Sequence, residues 1–183
     1  MCNRFRNNKN WAAVEREFSA TKITLIPPKR AKPNRGVIGD IRPTDPAYVI
    51  RPGGVTEILP WGFPSARGPV INFRSEGRRF PLVQRGLVPV TGFYETTPSA
   101  DPKQKRKDWW LFESDQPMAL AAVIRDDRFS LLTVDAGPDV VAIHDRQPVV
   151  VPVADWLAWL EDETALVLKP SPGGTLMVRV AEG

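Results

Sequence analysis

The chain has one cysteine and one histidine in 183 residues. A single cysteine cannot close an intramolecular disulfide. With only one histidine beside it, the thiolate and imidazole ligands of a zinc site are missing as well. No metal and no cofactor is expected. No apolar run approaches the roughly 18 residues that a membrane-spanning helix needs. The start, Met1-Cys2-Asn3-Arg4-Phe5-Arg6, is not followed by the hydrophobic stretch of a secretory signal. The expectation is a monomer in a reducing cytoplasm, away from membranes.

Turn-forming residues are plentiful: 19 prolines and 13 glycines argue for short elements rather than a helical bundle. Residues 10–18 predict a short helix capped by Asn10, with Trp11, Val14 and Phe18 on one face. Short apolar runs at 46–51, 55–60, 69–72, 86–91, 109–113, 118–124, 129–135 and 147–151 predict strands, and 175–180 a last one. Residues 155–160 predict a second short helix with Trp156, Leu157 and Leu160 inward. Residues 27–46 and 96–108 read as surface loops. With no internal repeat and no linker, the simplest architecture is one α+β domain over 1–183. Its sheet would be curved, barrel-like and mostly antiparallel, with a few short helices.

The basic residues are mostly arginine, 17 against 8 lysines, and the net charge is +4, a balance compatible with a polyanionic partner. Five arginines and one acid fall within 67–85. Strand alternation there sends Asn72, Arg74 and Glu76 to one side. Asn72 is then placed to bond a sugar or phosphate oxygen and Arg74 to grip a phosphate, unless the run is simply a solvated face.

Three further residues carry chemistry or sit quietly in the fold. Cys2 is either a small buried hydrophobe or, once Met1 is removed, the holder of an α-amine and a thiol on adjacent carbons. With reference pKa values of about 8 and 8.5, both are usable nucleophiles near neutrality. An amine condenses with an aldehyde to an imine, and the neighbouring thiol can close on the imine carbon to give a thiazolidine. His144 is either a structural histidine or a proton-transfer group, with Asp145 and Arg146 beside it to orient it. Glu95 ends the aromatic run Gly92-Phe93-Tyr94. It is either a solvated strand terminus or a desolvated general acid or base.

Taken together, Met1-Cys2-Asn3-Arg4-Phe5, Trp61-Gly62, Asn72-x-Arg74-x-Glu76, Gly92-Phe93-Tyr94-Glu95 and His144-Asp145-Arg146-x-Pro148 resemble the SRAP family, the SOS-response-associated peptidases. Pro43-Thr44 resembles part of the family's Asn-x-x-Pro-Thr element, and Thr133 stands where the family often has threonine. The sequence departs from the pattern at Asn3 (usually Gly), Asp40 (usually Asn) and Thr96 (usually Trp). The resemblance implies a sensor of abasic sites in single-stranded DNA that crosslinks covalently through Cys2 and removes its own leading residue. It implies catalytic roles for Cys2, Asn72, Glu95 and His144. DNA contacts are expected at Arg4, Pro43, Trp61, Arg74, Arg78, Arg79 and Thr133, with Trp61 or Phe63 as stacking partners for bases. Two other classes stay open: an N-terminal-nucleophile thiol amidohydrolase or peptidase acting on a small amide, and a non-catalytic DNA-binding module.

Overall fold

In a computed structural model, residues 2–28, 37–99, 107–162, 164 and 166–181 are described. The strands are β1 (Phe5–Asn7), β2 (Gly39–Ile41), β3 (Pro46–Ile50), β4 (Thr56–Pro60), β5 (Asn72–Arg74), β6 (Arg85–Pro98), β7 (Lys107–Arg125), β8 (Arg128–Asp135), β9 (Arg146–Pro148), β10 (Val150–Val151) and β11 (Met177–Ala181). Two short α-helices, α1 (Trp11–Ser19) and α2 (Trp156–Glu161), accompany them. All the strands join one curled sheet with the order β2-β1-β6-β7-β8-β5. The β5–β8 pair is parallel and the other named pairs are antiparallel. This is the expected α+β architecture.

The spine is the long β6–β7 hairpin. Successive side chains of a strand point to opposite faces, and residues 118–124 are apolar without a break because both faces are covered. Met118, Leu120, Ala122 and Ile124 enter one core with Cys2, Phe5, Trp61 and Phe93. Ala119, Ala121 and Val123 enter the other, with Val14, Phe18, Trp156 and Trp159. The second core is closed by the helices, and Phe18 stacks on Trp156 at 4.3 Å between ring centres. Asn10 caps α1 by accepting the Ala13 N–H at 3.0 Å, a contact worth about 1 kcal/mol.

Several expectations shift. The strands expected at 109–113 and 118–124 are one strand whose register slips: Val90 faces Met118, yet Gly92 faces Glu113. Ser114–Pro117 bulge out because Pro117 has no N–H to give the ladder. The strand expected at 69–72 begins at Asn72. The loop expected at 27–46 contains β2, and its residues 29–36 lie outside the described residues. Likewise β6 and β7 run into the expected loop 96–108, of which 100–106 lie outside the described residues. On α2, Leu157 is 42% exposed while Trp159 is buried, because Trp156, Trp159 and Leu160 make the i, i+3, i+4 stripe. Strand β1 was not anticipated. Its three residues carry no apolar alternation, and they form a strand because β2 and β6 flank them.

Candidate active site around Cys2

Four elements bring the site together. Cys2 precedes β1, Asn72 opens β5, Glu95 lies on β6, and His144 ends the turn before β9. Cys2 is fully buried, and its thiol donates to the Arg4 carbonyl at 3.3 Å. The Asn72 amide Nδ2 donates to the Cys2 carbonyl at 2.7 Å. Its Oδ1 is buried with no hydrogen-bond partner among the described residues. Glu95 follows Phe93 by two on β6, so it faces the same core as Cys2. It pairs across the ladder with Trp110, whose ring packs on that core.

The electrostatics follow from burial. Desolvation pushes the Glu95 carboxyl up to about 7, and the nearby Asp145 charge adds to the rise. The Cys2 backbone N–H donates to this carboxylate and partly offsets it. Burial, with Glu95 next, pushes the Cys2 thiol far above its usual range. The same cause lowers the basicity of His144. His144 Nε2 stands 4.0 Å from Glu95 Oε2. With the Glu95 pKa raised to about 7 and the basicity of His144 lowered, the carboxyl keeps a large protonated fraction at neutral pH and faces an imidazole that resists protonation, which works against an ion pair.

The histidine tautomer is set from behind. The Arg146 backbone N–H donates to His144 Nδ1 at 3.0 Å, so the ring proton of the neutral form sits on Nε2, toward Glu95. Asp145 Oδ1 also approaches Nδ1 at 2.8 Å, a contact that requires the proton on Nδ1. The two are mutually exclusive in a neutral ring, and lowered basicity favours the first. The Arg146 guanidinium clamps the turn: it bonds Glu76, Asp135 at 2.7 Å, and both the carbonyl and hydroxyl of Thr133 at 3.0 Å.

The expected DNA contacts divide. Arg74 pairs in parallel register with Thr133, so both lie on the Asn72 side. Arg74 is exposed, whereas Thr133 is buried and serves Arg146. Pro43 is half-buried in a turn where Thr44 takes a positive φ of 77°. The Arg4 guanidinium stacks 3.9 Å from the centre of the Trp109 ring and 4.0 Å from Asp40. Asp40 in turn accepts from Arg6 and the Tyr94 hydroxyl, so its charge is neutralised locally. Thr96 lies opposite Trp109.

Trp61 and Phe63 correct the stacking expectation. Trp61 is 0% exposed and Phe63 only 9%. The indole of Trp61 is packed at 4.9 Å from Phe5 and donates to the Ile71 carbonyl, leaving no face for a base. Arg78 and Arg79 do not join the Cys2 side. Arg78 lies over Phe73, which alternation sends to the opposite face from Asn72. Asp145 and Arg146 were expected beside His144, but Trp110 and the pairing of Arg146 with Glu76 were missed as parts of the site. Glu76 and Arg146 stand inside the quoted motifs, but only three-dimensional pairing reveals that they are partners.

A cysteine at the second position, a carboxylic acid, an imidazole and a carboxamide thus meet in one buried corner of a curled sheet. The chain belongs to the SOS response associated peptidase (SRAP) family, whose pattern matches residues 1–180. Membership carries a DNA-damage-associated, peptidase-like role. None of the curated proteins matches the chain. Among solved structures it is similar to a Bacteroides thetaiotaomicron protein (TM-score 0.73, 13% identity, covering 99% of this chain and 92% of that one). It is also similar to a Bordetella bronchiseptica protein (TM-score 0.70, 18% identity, covering 99% and 100%). A phage-related protein of the same organism gives 0.68 at 19% identity, covering 100% and 95%. At such identities the likeness speaks for the fold. Among the described residues no helix is long and apolar enough to cross a membrane, and no group of three or more metal-ligating side chains occurs.

Proposed function

We propose that this protein captures abasic sites in single-stranded DNA as a covalent thiazolidine on Cys2, after removing Met1 through its own peptidase activity. The observation that carries the reading is the hydrogen bond between the Cys2 nitrogen and buried Glu95. Once Met1 is gone, that nitrogen is the α-amine, already beside a group able to move its protons.

An abasic sugar rests mainly as a closed hemiacetal. The protonated carboxyl of Glu95, with a pKa of about 7, gives a proton to the ring oxygen as the C1′–O4′ bond breaks, the carboxylate so formed takes the proton of the C1′ hydroxyl, and His144 Nε2–H donates to the sugar oxygen, opening the aldehyde. The amine adds to C1′, and the carbinolamine loses water to leave an imine. The thiol then adds across the C=N bond: sulfur bonds to C1′ and its proton passes to nitrogen. The thiol's raised pKa makes the amine the first nucleophile. Asn72 holds the Cys2 carbonyl, and its unpartnered Oδ1 offers an acceptor to a sugar hydroxyl.

The test is incubation with a strand carrying one abasic site, followed by denaturing electrophoresis and intact-mass measurement. The expected adduct has the mass of the protein without Met1 plus the strand minus one water. Cys2→Ala should leave only a labile imine that borohydride traps. A heat-stable adduct from Cys2→Ala would overturn the thiazolidine.

A further inference from the structure

On the face of the sheet away from Cys2 there is a cavity of about 720 Å³ between residues 75–82 and the 166–168 segment. Its floor is apolar, made by Phe80, Leu82, Trp159 and Leu168, and Val167 on its lip is 70% exposed. Its rim carries Arg78 and Arg79, both exposed. Neither has an ion-pair partner among the described residues. Arg125 joins them, lying 5.0 Å from the Phe73 ring that Arg78 also covers. The acid in the lining, Glu76, is held by both oxygens to Arg146 and so is already neutralised.

We propose that this cavity docks a short acidic peptide segment of a partner protein that ends in a bulky apolar side chain. The rim supplies the charge complementarity, and arginine forks favour carboxylates. The floor selects an apolar anchor over a nucleobase. Phe80 and Trp159 are 7% and 2% exposed, so they wall a hole but offer no open ring to stack on, and the Val167 side chain on the lip has no polar group for a base edge. The site faces the core that holds α2, not the one that holds Cys2. A partner could therefore be held while the DNA corner stays open.

The probe is a fluorescein-labelled peptide, Asp-Asp-Glu-Leu-Leu-Phe with a free C-terminus, followed by anisotropy against the full chain at several salt concentrations. Saturable binding should weaken with salt and be lost when Leu-Leu-Phe becomes Ser-Ser-Ser. Val167→Glu, a change on an exposed side chain, should weaken it about tenfold, equivalent to ~1.4 kcal/mol, and leave crosslinking to abasic DNA intact. The double change Arg78→Ala with Arg79→Ala should weaken it as much. Absence of binding, binding that tolerates Val167→Glu, or displacement of the peptide by intact single-stranded DNA would overturn the proposal. The last result would assign the cavity to the DNA strand instead.

Discussion

Replacing Glu95 by Gln should make the protein more stable and less active at once. A carboxyl whose folded pKa is raised binds its proton more tightly in the folded than in the unfolded chain. The stability it supports is fully present below its ordinary value of 4.5 and is lost as pH rises through about 7. The shift of about 2.5 units corresponds to about 3 kcal/mol, the strain of holding a buried carboxylate at alkaline pH. Gln resembles the protonated acid and never ionises. Its amide oxygen is a weaker acceptor than a carboxylate for the Cys2 N–H, and its NH2 has to be placed where Glu has a second oxygen, at about 1 kcal/mol. The net gain above pH 7 is then about 2 kcal/mol; it should cross zero roughly one pH unit above 4.5, and the variant should be the less stable protein below that. In a chain of this length that is a rise in melting temperature of about 4–8 °C at pH 8. Urea unfolding of both proteins at pH 5, 6, 7 and 8 reads the difference directly. Crosslinking by the variant should slow by about 10²–10⁴ because a positioned proton donor is lost. A stability difference that stays constant from pH 5 to 8, or a variant less stable than the parent at pH 8, would refute the burial argument.

Two further outcomes follow from the site. Arg74→Ala should weaken binding to intact and abasic strands alike. It should also reduce the slope of log K against log salt by roughly 0.7, one single-strand phosphate, as read by anisotropy titration. An unchanged slope would return Arg74 to the solvated surface. Arg146→Lys keeps the charge but loses the fork that bonds Glu76 and Thr133 together. It should slow crosslinking and move its pH profile, and the effect should disappear in a His144→Ala background. A loss that persists there would mean that Arg146 acts on the fold rather than through His144.

Much of this site could be read from residues alone because its chemistry depends on residue type. Cys2, Asn72, Glu95 and His144 stood out as a lone thiol near the chain head, a carboxamide within an arginine run, a carboxylate after aromatics and a lone imidazole. Their meeting could not be read, since it requires β1 to slot between β2 and β6, and three polar-flanked residues give no strand signal. Aromatic side chains were the least legible. Trp61 was expected as a stacking partner for bases, yet its whole indole is core, while Trp110, unremarked in the run Trp109-Trp110-Leu111, helps bury Glu95 from the next strand. Whether an aromatic stacks on a ligand or on the protein depends on sheet curvature, and that is a property of long-range pairing.

The same burial acts on three groups in the corner, with different consequences for each. It raises the Glu95 carboxyl to about 7, lowers the basicity of His144, and keeps the Cys2 thiol in its protonated form. A thiolate at this position would be exposed to oxidation and to metal capture. A protonated thiol avoids both, yet it can still close onto an imine carbon, because ring closure needs a proton delivered to nitrogen and the thiol brings its own. The closure therefore proceeds without a net proton exchange with solvent, which suits a buried thiol. The step that does depend on outside protons is opening the sugar and expelling water, and that is where the carboxyl at about 7 and the imidazole stand. On this account burial restrains the thiol until the amine has formed the imine, and it tunes the acid that lets the imine form.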